Sequence, residues 1–309
     1  MIPYIIFIRI PVFIDPQKYF YDYQGSEPFL VNIYSLLSYP WLQNILCILL
    51  LFIQAILINL IINQNRISRY FTLFAGIIYI LIIHLSPSLC TLSPLIIGIT
   101  FFLIGLQQLF STYKINKASL FIFNTGFFFA IATLFYKPFI VLLILGYVGL
   151  TILRSFRFRE RAQYFAGFIL PIYLYASVSY FILGKDHSIG TEALEAIGLL
   201  QFSSMDLGAI ITLSIVGILI FYVFLSYNTY RIKKAIDVQK KIDLVYWVML
   251  ISVLATIISD DVSLRELAIP AIAVSILFSM SFSRIKNKVL TELIHLVFIM
   301  VICTTHFFL

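Results

Sequence analysis

Apolar runs long enough to cross a membrane recur along this chain from Trp41 to its last residues. A run such as ILCILLLFIQAILINLII lacks the alternation of apolar and polar residues that a transmembrane β-barrel requires. Hydrophobic residues make up 61% of the 309 and charged residues 11%, less than half of the roughly 25% found in soluble domains. The sequence therefore predicts an all-α fold, a polytopic bundle of transmembrane helices.

Ten full spans are predicted, preceded by an N-terminal half-span. Residues 1–14 are apolar but too short to cross, so they are compatible with a half-span, an interfacial segment or the tail of a longer first helix. No linker or low-complexity segment divides the chain, which predicts one integral membrane domain over residues 1–309. The predicted spans are 41–62, 70–85, 92–112, 118–136, 138–153, 164–183, 207–227, 244–259, 267–283 and 289–309.

Basic residues separate the loops into two alternating sets. Sixteen of the 21 lysines and arginines lie in every second loop, and the loops between them hold only four. The positive-inside rule places the basic set in the cytoplasm, so we expect a multi-pass protein of the bacterial inner membrane with its C-terminus outside. This distribution also accounts for the net charge of +7 and argues against nucleic-acid binding. The basic loops are 66–69, 114–117, 154–161, 231–241 and 284–288.

Ten of the fourteen acidic residues fall on the predicted outer side. Acidic residues contribute little to topology, so their distribution needs another explanation. Loops without lysine or arginine still need solvating charge, which is one explanation. The other is a site built from carboxylates on the outer face.

The leading catalytic candidates are Asp15 and Asp22, in the polar and aromatic stretch RIPVFIDPQKYFYDYQGSEP that starts at Arg9. A carboxylate near the outer surface can act as a general base toward a hydroxyl, and Arg9 can bind a lipid-linked phosphate. The alternative is a loop in which Asp15 and Pro16 turn the chain and Arg9 extends toward the interface. A short surface helix is predicted after this loop, over residues 29–40.

Two further outer loops carry candidate substrate-binding residues. Residues 185–206 contain the adjacent Asp186 and His187, followed by a predicted surface helix over 191–201. The sequence DDVSLRE holds Asp260, Asp261 and Arg265, and paired carboxylates can hold a diphosphate through Mg²⁺. The alternative interpretation is that Asp261 caps a turn of helix leading into the next span. Neither loop has the several histidines of a metal site, so no metal or other cofactor is predicted.

The polar residues within the predicted spans include Gln54, His84 and His306, and such residues usually join helices by hydrogen bonds. Glu292 and His295 are three residues apart on one helix face, which is the closest approach to a proton relay in the sequence. The three cysteines, Cys47, Cys90 and Cys303, lack paired or metal-binding spacing and are interpreted as small apolar fillers.

Residues 124–181 resemble an uncharacterised bacterial family of polytopic inner-membrane proteins. The similarity covers most of residues 9–183, including LINLIINQNRIS, LSPSLCTLSPL and RIPVFID, and fades in the last third. The family has no established activity, and this chain lacks most of the hydrophobic helix that precedes Arg9 in it. The matching elements are Gly126, residues 135–138, Arg154 with Arg159 and Glu160, and Gly167 with Pro171.

The layout is also similar to that of the GT-C-type glycosyltransferases, which use polyprenyl-linked sugars. That resemblance implies Asp15 or Asp22 as the base and Arg9 beside the donor phosphate, although the expected paired-acid signature is absent. The expected partners are membrane lipids and either a polyprenyl-linked glycan or envelope proteins. A non-enzymatic subunit or scaffold of an envelope complex is the alternative function, and a transporter is the third.

Overall fold

The structure, a computed structural model, describes residues 2–14, 19, 21, 39–68, 72–183, 207–232, 234–259, 264–282 and 288–307. Every regular element in these ranges is helical, and none of them contains a strand. The predicted all-α fold is therefore confirmed for this part of the chain.

Each of the ten predicted spans contains a helix, but the boundaries differ where charged residues continue a helix beyond its apolar part. One helix begins at Ile236 and includes Asp237, although the predicted span starts at 244. The 3₁₀ helices are Pro87–Cys90, Lys137–Val141 and Leu264–Leu267. The α-helices are α1 Ile2–Ile8, α2 Ile10–Ile14, α3 Pro40–Gln64, α4 Phe74–Ile83, α5 Pro94–Ser111, α6 Ser119–Phe135, α7 Leu142–Leu153, α8 Phe158–Leu183, α9 Leu207–Leu225, α10 Tyr227–Arg231, α11 Ile236–Ile258, α12 Ala268–Phe282 and α13 Lys288–Phe307.

Six helical segments are long and apolar enough to cross a membrane, as expected of a multi-pass membrane protein. They comprise α3, α5, α8, α9, α11 and the segment Leu264–Phe282. The other apolar helices are shorter: Phe74–Ile83, Ser119–Phe135, Lys137–Leu153 and Thr291–His306. The number of crossings, ten by the charge pattern, stays a prediction.

The core lies around α12, which packs on α4, α9 and α11. Within the segment Leu264–Phe282, 89% of the span is buried, compared with 22% for α9. Alanine, serine and isoleucine dominate α12, and small side chains allow close packing between apolar helices. The exposed apolar side chains of α8 and α9 are those that a bilayer would cover.

A second tightly packed region consists of α5, α6 and α8, with α6 between the other two. Gly126 of α6 lies against the backbone carbonyl of Tyr164, and Gly167 of α8 lies against that of Phe123. A Cβ atom at either glycine would overlap this backbone. Two elements of the family resemblance, Gly126 and Gly167, are thus the points where two helix backbones touch.

Side-chain contacts join the loops in the same two sets that the charge pattern defined. At one end, called the basic end, Arg154 donates to the Thr112 carbonyl and Lys234 to the Ile67 carbonyl. At the opposite end, called the Arg9 end, Arg9 donates to the Cys90 carbonyl and Thr212 to the Leu85 carbonyl. The membrane side of each end stays a prediction.

Between the two ends, polar side chains hold helices together. Gln54 of α3 donates from Nε2 to the Ile96 carbonyl at 2.7 Å and to the Thr100 hydroxyl at 2.9 Å on α5. Its Oε1 accepts a bond of 2.6 Å from the Tyr79 hydroxyl on α4. Every polar group of this buried amide thus has a partner, which is the role expected of a polar residue between apolar helices.

Candidate functional site

Only two of the eight predicted site residues belong to the part of the chain that the structure describes. These are Arg9 and Arg265, and both lie at the Arg9 end. The predicted bases Asp15 and Asp22 lie outside the described residues, as do Asp186, His187, Asp260 and Asp261. The predicted surface helices at 29–40 and 191–201 also fall on segments outside the description, apart from residues 39 and 40.

Arg9 separates the short helices α1 and α2 and is completely buried. Its Nη1 donates to the Asn44 carbonyl at 3.3 Å, in the first turns of α3. Its Nη2 donates to Cys47 Sγ at 3.4 Å and to the Cys90 carbonyl, which belongs to the 3₁₀ helix Pro87–Cys90. The guanidinium therefore connects the N-terminal helices to α3 and to the loop between α4 and α5.

The charge of Arg9 has no neutralising partner among the described residues. No described aspartate or glutamate forms an ion pair with it, and its Nε atom is buried without a hydrogen bond. Its three acceptors are two carbonyls and a thiol, all uncharged. Burying an arginine without a counterion costs several kcal/mol, even after relaxation of its surroundings. Within the described residues, Arg9 is therefore a buried cation whose charge is not compensated.

Two buried histidines, His84 and His306, lie at the same end of the bundle as Arg9. His84 is completely buried, and its Nδ1 is 2.6 Å from the Ile80 carbonyl, which assigns the proton to Nδ1 and leaves Nε2 as an acceptor. That Nε2 atom has no partner within the described part of the molecule. His306, near the end of α13, donates from Nε2 to the His84 carbonyl at 2.8 Å. Its Nδ1 accepts a bond of 2.6 Å from the Tyr19 hydroxyl.

These contacts form a group that we call the Arg9 cluster: Arg9, Asn44, Cys47, His84, Cys90 and His306. Sequence reasoning identified Arg9 but assigned the cysteines to apolar filling. Cys47 instead accepts from Arg9 and donates to the Cys90 carbonyl at 3.0 Å, so the filler interpretation is incomplete. The sequence did contain a signal for this cluster, because all of its members lie near predicted span ends on the same predicted side of the membrane.

Arg265 reaches the same end of the bundle through a different contact. Its guanidinium carbon lies 4.8 Å from the centre of the Tyr21 ring, a cation–π distance. The backbone of Tyr21 exchanges hydrogen bonds with the Gln43 side chain at 3.1 and 3.3 Å. Since Gln43 and Asn44 are neighbours on α3, the contacts of Arg265 and Arg9 converge on the same turn.

An apolar cavity of about 240 Å³ adjoins the Arg9 cluster. It lies between the N-terminal helices and α13, and His306 is the member of the Arg9 cluster that lines it. Ile8 and Ile10, the sequence neighbours of Arg9, line it as well. The cavity thus places a hydrocarbon-lined space beside a buried cation. The remaining lining residues are Phe7, Ile299, Ile302 and Cys303.

A larger cavity of about 350 Å³ lies between α4, α12 and α13. Glu292 and His295 both line it, in agreement with their predicted common face. The rest of its wall is almost entirely apolar, with Phe74, Phe278 and Phe298 among its residues. Among the described residues, no group of three or more histidine, cysteine or acidic side chains is placed to hold a metal ion.

Comparisons with family models, with curated proteins and with solved structures gave no match to this chain.

Proposed function

We propose that this protein is an integral inner-membrane protein that binds the phosphate of a lipid-linked sugar at its Arg9 end and transfers the sugar, in the manner of the GT-C-type glycosyltransferases. The observation that carries the proposal is the buried guanidinium of Arg9, which has no carboxylate partner among the described residues and an unbonded Nε. A phosphate oxygen bound there would neutralise the charge and accept the remaining N–H.

The neighbouring cavity supports a lipid as the carrier of that phosphate. The cavity of about 240 Å³ is lined by apolar side chains of α1, α2 and α13, and it adjoins the Arg9 cluster at His306. A lipid-linked phosphate has the matching chemistry, with an anionic group next to a hydrocarbon chain. A water-soluble sugar phosphate would leave the apolar wall unused.

In the proposed reaction, Asp15 or Asp22 takes the proton of an acceptor hydroxyl, and the resulting oxygen attacks the anomeric carbon of the donor sugar. The bond between that carbon and the phosphate oxygen breaks, and the negative charge stays on the lipid phosphate. Arg9 stabilises this charge as it develops. Asp15 follows Arg9 by six residues, so the chain between their Cα atoms spans at most about 20 Å.

The catalytic part of the proposal is tested by replacing Asp15 and Asp22 separately with asparagine in a strain from which the chromosomal gene is deleted. We expect at least one variant to lose envelope-glycan synthesis at normal protein abundance, because asparagine cannot accept the proton. Lys18→Gln, in the same segment, is the control for nonspecific effects on this loop. Full complementation by both asparagine variants would show that neither carboxylate is the base.

A non-enzymatic subunit is the second candidate function, and one observation favours it. The three acceptors of Arg9 lie on α3 and on the loop after α4, so the guanidinium also fixes the N-terminal helices to the bundle. In a scaffold, this connection would present residues 15–38 to a partner protein. Loss of envelope glycans in an asparagine variant that still assembles with its partners would reject this function.

A transporter has less support. Transport across the bundle would need a polar cavity near the middle of the membrane, whereas the cavities of about 350 and 240 Å³ are both mainly apolar. The polar side chains of Gln54, Tyr79 and Thr100 are hydrogen-bonded to one another between α3, α4 and α5.

A further inference from the structure

Three basic residues meet at the basic end, and we call them the basic cluster: Arg66, Lys114 and Lys241. Arg66 follows α3, Lys114 follows α5, and Lys241 lies in the second turn of α11. The ammonium groups of Lys114 and Lys241 are each 5.4 Å from the centre of the Tyr113 ring. The charges of Arg66 and Lys114 also act on the half-buried ammonium of Lys241.

The basic cluster carries more positive charge than the neighbouring acidic residue can neutralise. Asp237, one turn before Lys241 on α11, is the acidic residue whose charge acts on that ammonium. In the described part of the chain, none of the three basic residues forms an ion pair. Like charges repel, and the partial burial of Lys241 reduces the screening of that repulsion by water, although Arg66 and Lys114 are exposed. A bound anion would relieve it.

The backbone holds the cluster in place. Arg154 donates to the Thr112 carbonyl at 2.6 Å and to the Ile115 carbonyl at 2.8 Å, which fixes the loop that carries Lys114. Lys234 donates to the Ile67 carbonyl at 3.1 Å, next to Arg66. Arg66 and Lys114 both have left-handed backbone conformations, with φ of 53° and 57°, which non-glycine residues seldom adopt. Arg66 and Lys114 are thus attached to fixed turns, and Lys241 is attached to the helix α11.

We propose that the basic cluster binds the phosphate of an anionic membrane lipid, with the headgroup between Arg66, Lys114 and Lys241. The position at the ends of the apolar helices α3, α5 and α11 places these charges at the boundary between hydrocarbon and water, where lipid phosphates lie. Tyr113 adds an aromatic ring of the kind enriched at that boundary. The site is independent of the lipid-linked substrate proposed for the Arg9 end.

The test compares two double variants that remove equal charge from the same end. Lys114→Gln with Lys241→Gln removes the cluster, and Lys117→Gln with Lys240→Gln leaves it intact. Each protein is reconstituted in nanodiscs of phosphatidylcholine with increasing phosphatidylglycerol, and retained phosphatidylglycerol is counted by native mass spectrometry. We expect the cluster variant to need roughly 25-fold more anionic lipid for half-occupancy, about fivefold per charge removed, and the control to match the wild type.

Three outcomes would overturn the proposal. Equal weakening in both double variants would show a diffuse attraction to the membrane surface. No weakening in the cluster variant would show that these residues do not bind lipid. Inorganic phosphate that displaces phosphatidylglycerol at millimolar concentration from the wild type would identify a site for a soluble anion. Thermal unfolding in pure phosphatidylcholine confirms that both variants are folded, because removal of like charges should not destabilise the bundle.

Discussion

One arginine at each end of the bundle donates several hydrogen bonds between helices, and these two arginines, Arg154 and Arg9, differ in their partners. Arg154 at the basic end forms two bonds of 2.8 Å with the carboxylate of Glu160 and also donates to two backbone carbonyls. Arg9 is more deeply buried, with no exposed side-chain area against 10% for Arg154, yet all of its described acceptors are uncharged. Arg154 is thus neutralised within the fold. Arg9 has no carboxylate partner of this kind among the described residues.

The surroundings of the two arginines differ in the same way. Arg154 belongs to a region formed by consecutive helices, α5 to α8, in which α6 and α8 touch at glycines. The Arg9 cluster is assembled from segments about 300 residues apart in sequence, and a cavity adjoins it. Close packing of helix backbones at glycines suits a scaffold, while a buried cation beside a cavity suits a binding site.

The largest change in stability is expected from Gly167→Leu. This substitution tests how tightly the helices of the Arg154 region are packed compared with the Arg9 end. A Cβ atom at Gly167 would overlap the Phe123 carbonyl on α6, so the two helices would have to separate. We expect the free energy of unfolding to fall by more than about 4 kcal/mol, or folded protein not to accumulate. The control is Gly217→Leu on α9, where an added Cβ meets nothing within 4 Å. Equal behaviour of the two variants in thermal unfolding would contradict the proposed contact.

Glu160→Gln is expected to have the next largest effect, because it leaves the Arg154 guanidinium without its counterion. Removing one partner of a mostly buried ion pair costs about 3 kcal/mol. The side chain of Glu160 is 12% exposed, so we expect a smaller cost than for a completely buried ion pair. A double-mutant cycle with Arg154→Gln should give a coupling of about 2 kcal/mol. Additive losses in detergent unfolding would show that the pair is not neutralising Arg154.

Arg9→Gln should destabilise the lipid-free protein by about 1 kcal/mol, which is less than the effect of Arg154→Gln. The loss of hydrogen bonds is partly offset because a buried, uncompensated charge is removed. With polyprenyl phosphate bound, we expect Arg9→Gln to lower the stability more than Arg154→Gln does. Polyprenyl phosphate at about 100 times its Kd should stabilise the wild type by roughly 2.7 kcal/mol and leave the variant unchanged. Arg9→Lys, which keeps the charge but loses the planar fork, should give an intermediate shift. A ligand shift retained in Arg9→Gln would remove Arg9 from the site.

The sequence predicted the Arg154 region better than the Arg9 end, for a physical reason. Helix positions follow from apolar runs, and the separation of basic from other loops follows from charge, so the helices within the predicted spans and the two loop sets were foreseeable. Interaction partners such as Asn44, Cys90 and His306 depend on how distant helices pack. Periodicity within one helix carries no information about that packing. Arg9 was foreseeable as a candidate because a lone arginine in an apolar segment needs a partner.

The smallest change in stability is expected for substitutions of Cys47. Comparing them shows whether the thiol is a hydrogen-bonding member of the Arg9 cluster or only fills space. In the cluster, Cys47 accepts from Arg9 Nη2 and donates to the Cys90 carbonyl, so serine should preserve both bonds and alanine should lose them. We expect Cys47→Ala to cost about 1 kcal/mol more than Cys47→Ser in thermal unfolding. A pure filler predicts the opposite order, because an unneeded hydroxyl in an apolar site is costly to bury. Cys303→Ser and Cys303→Ala, at an exposed position on α13 that lines the cavity of about 240 Å³, provide the reference pair for unfolding of the lipid-free protein. The Cys47 alanine variant should also weaken polyprenyl phosphate binding only slightly, because in the proposed site the charge that binds the phosphate belongs to Arg9 and the thiol only orients the Arg9 guanidinium.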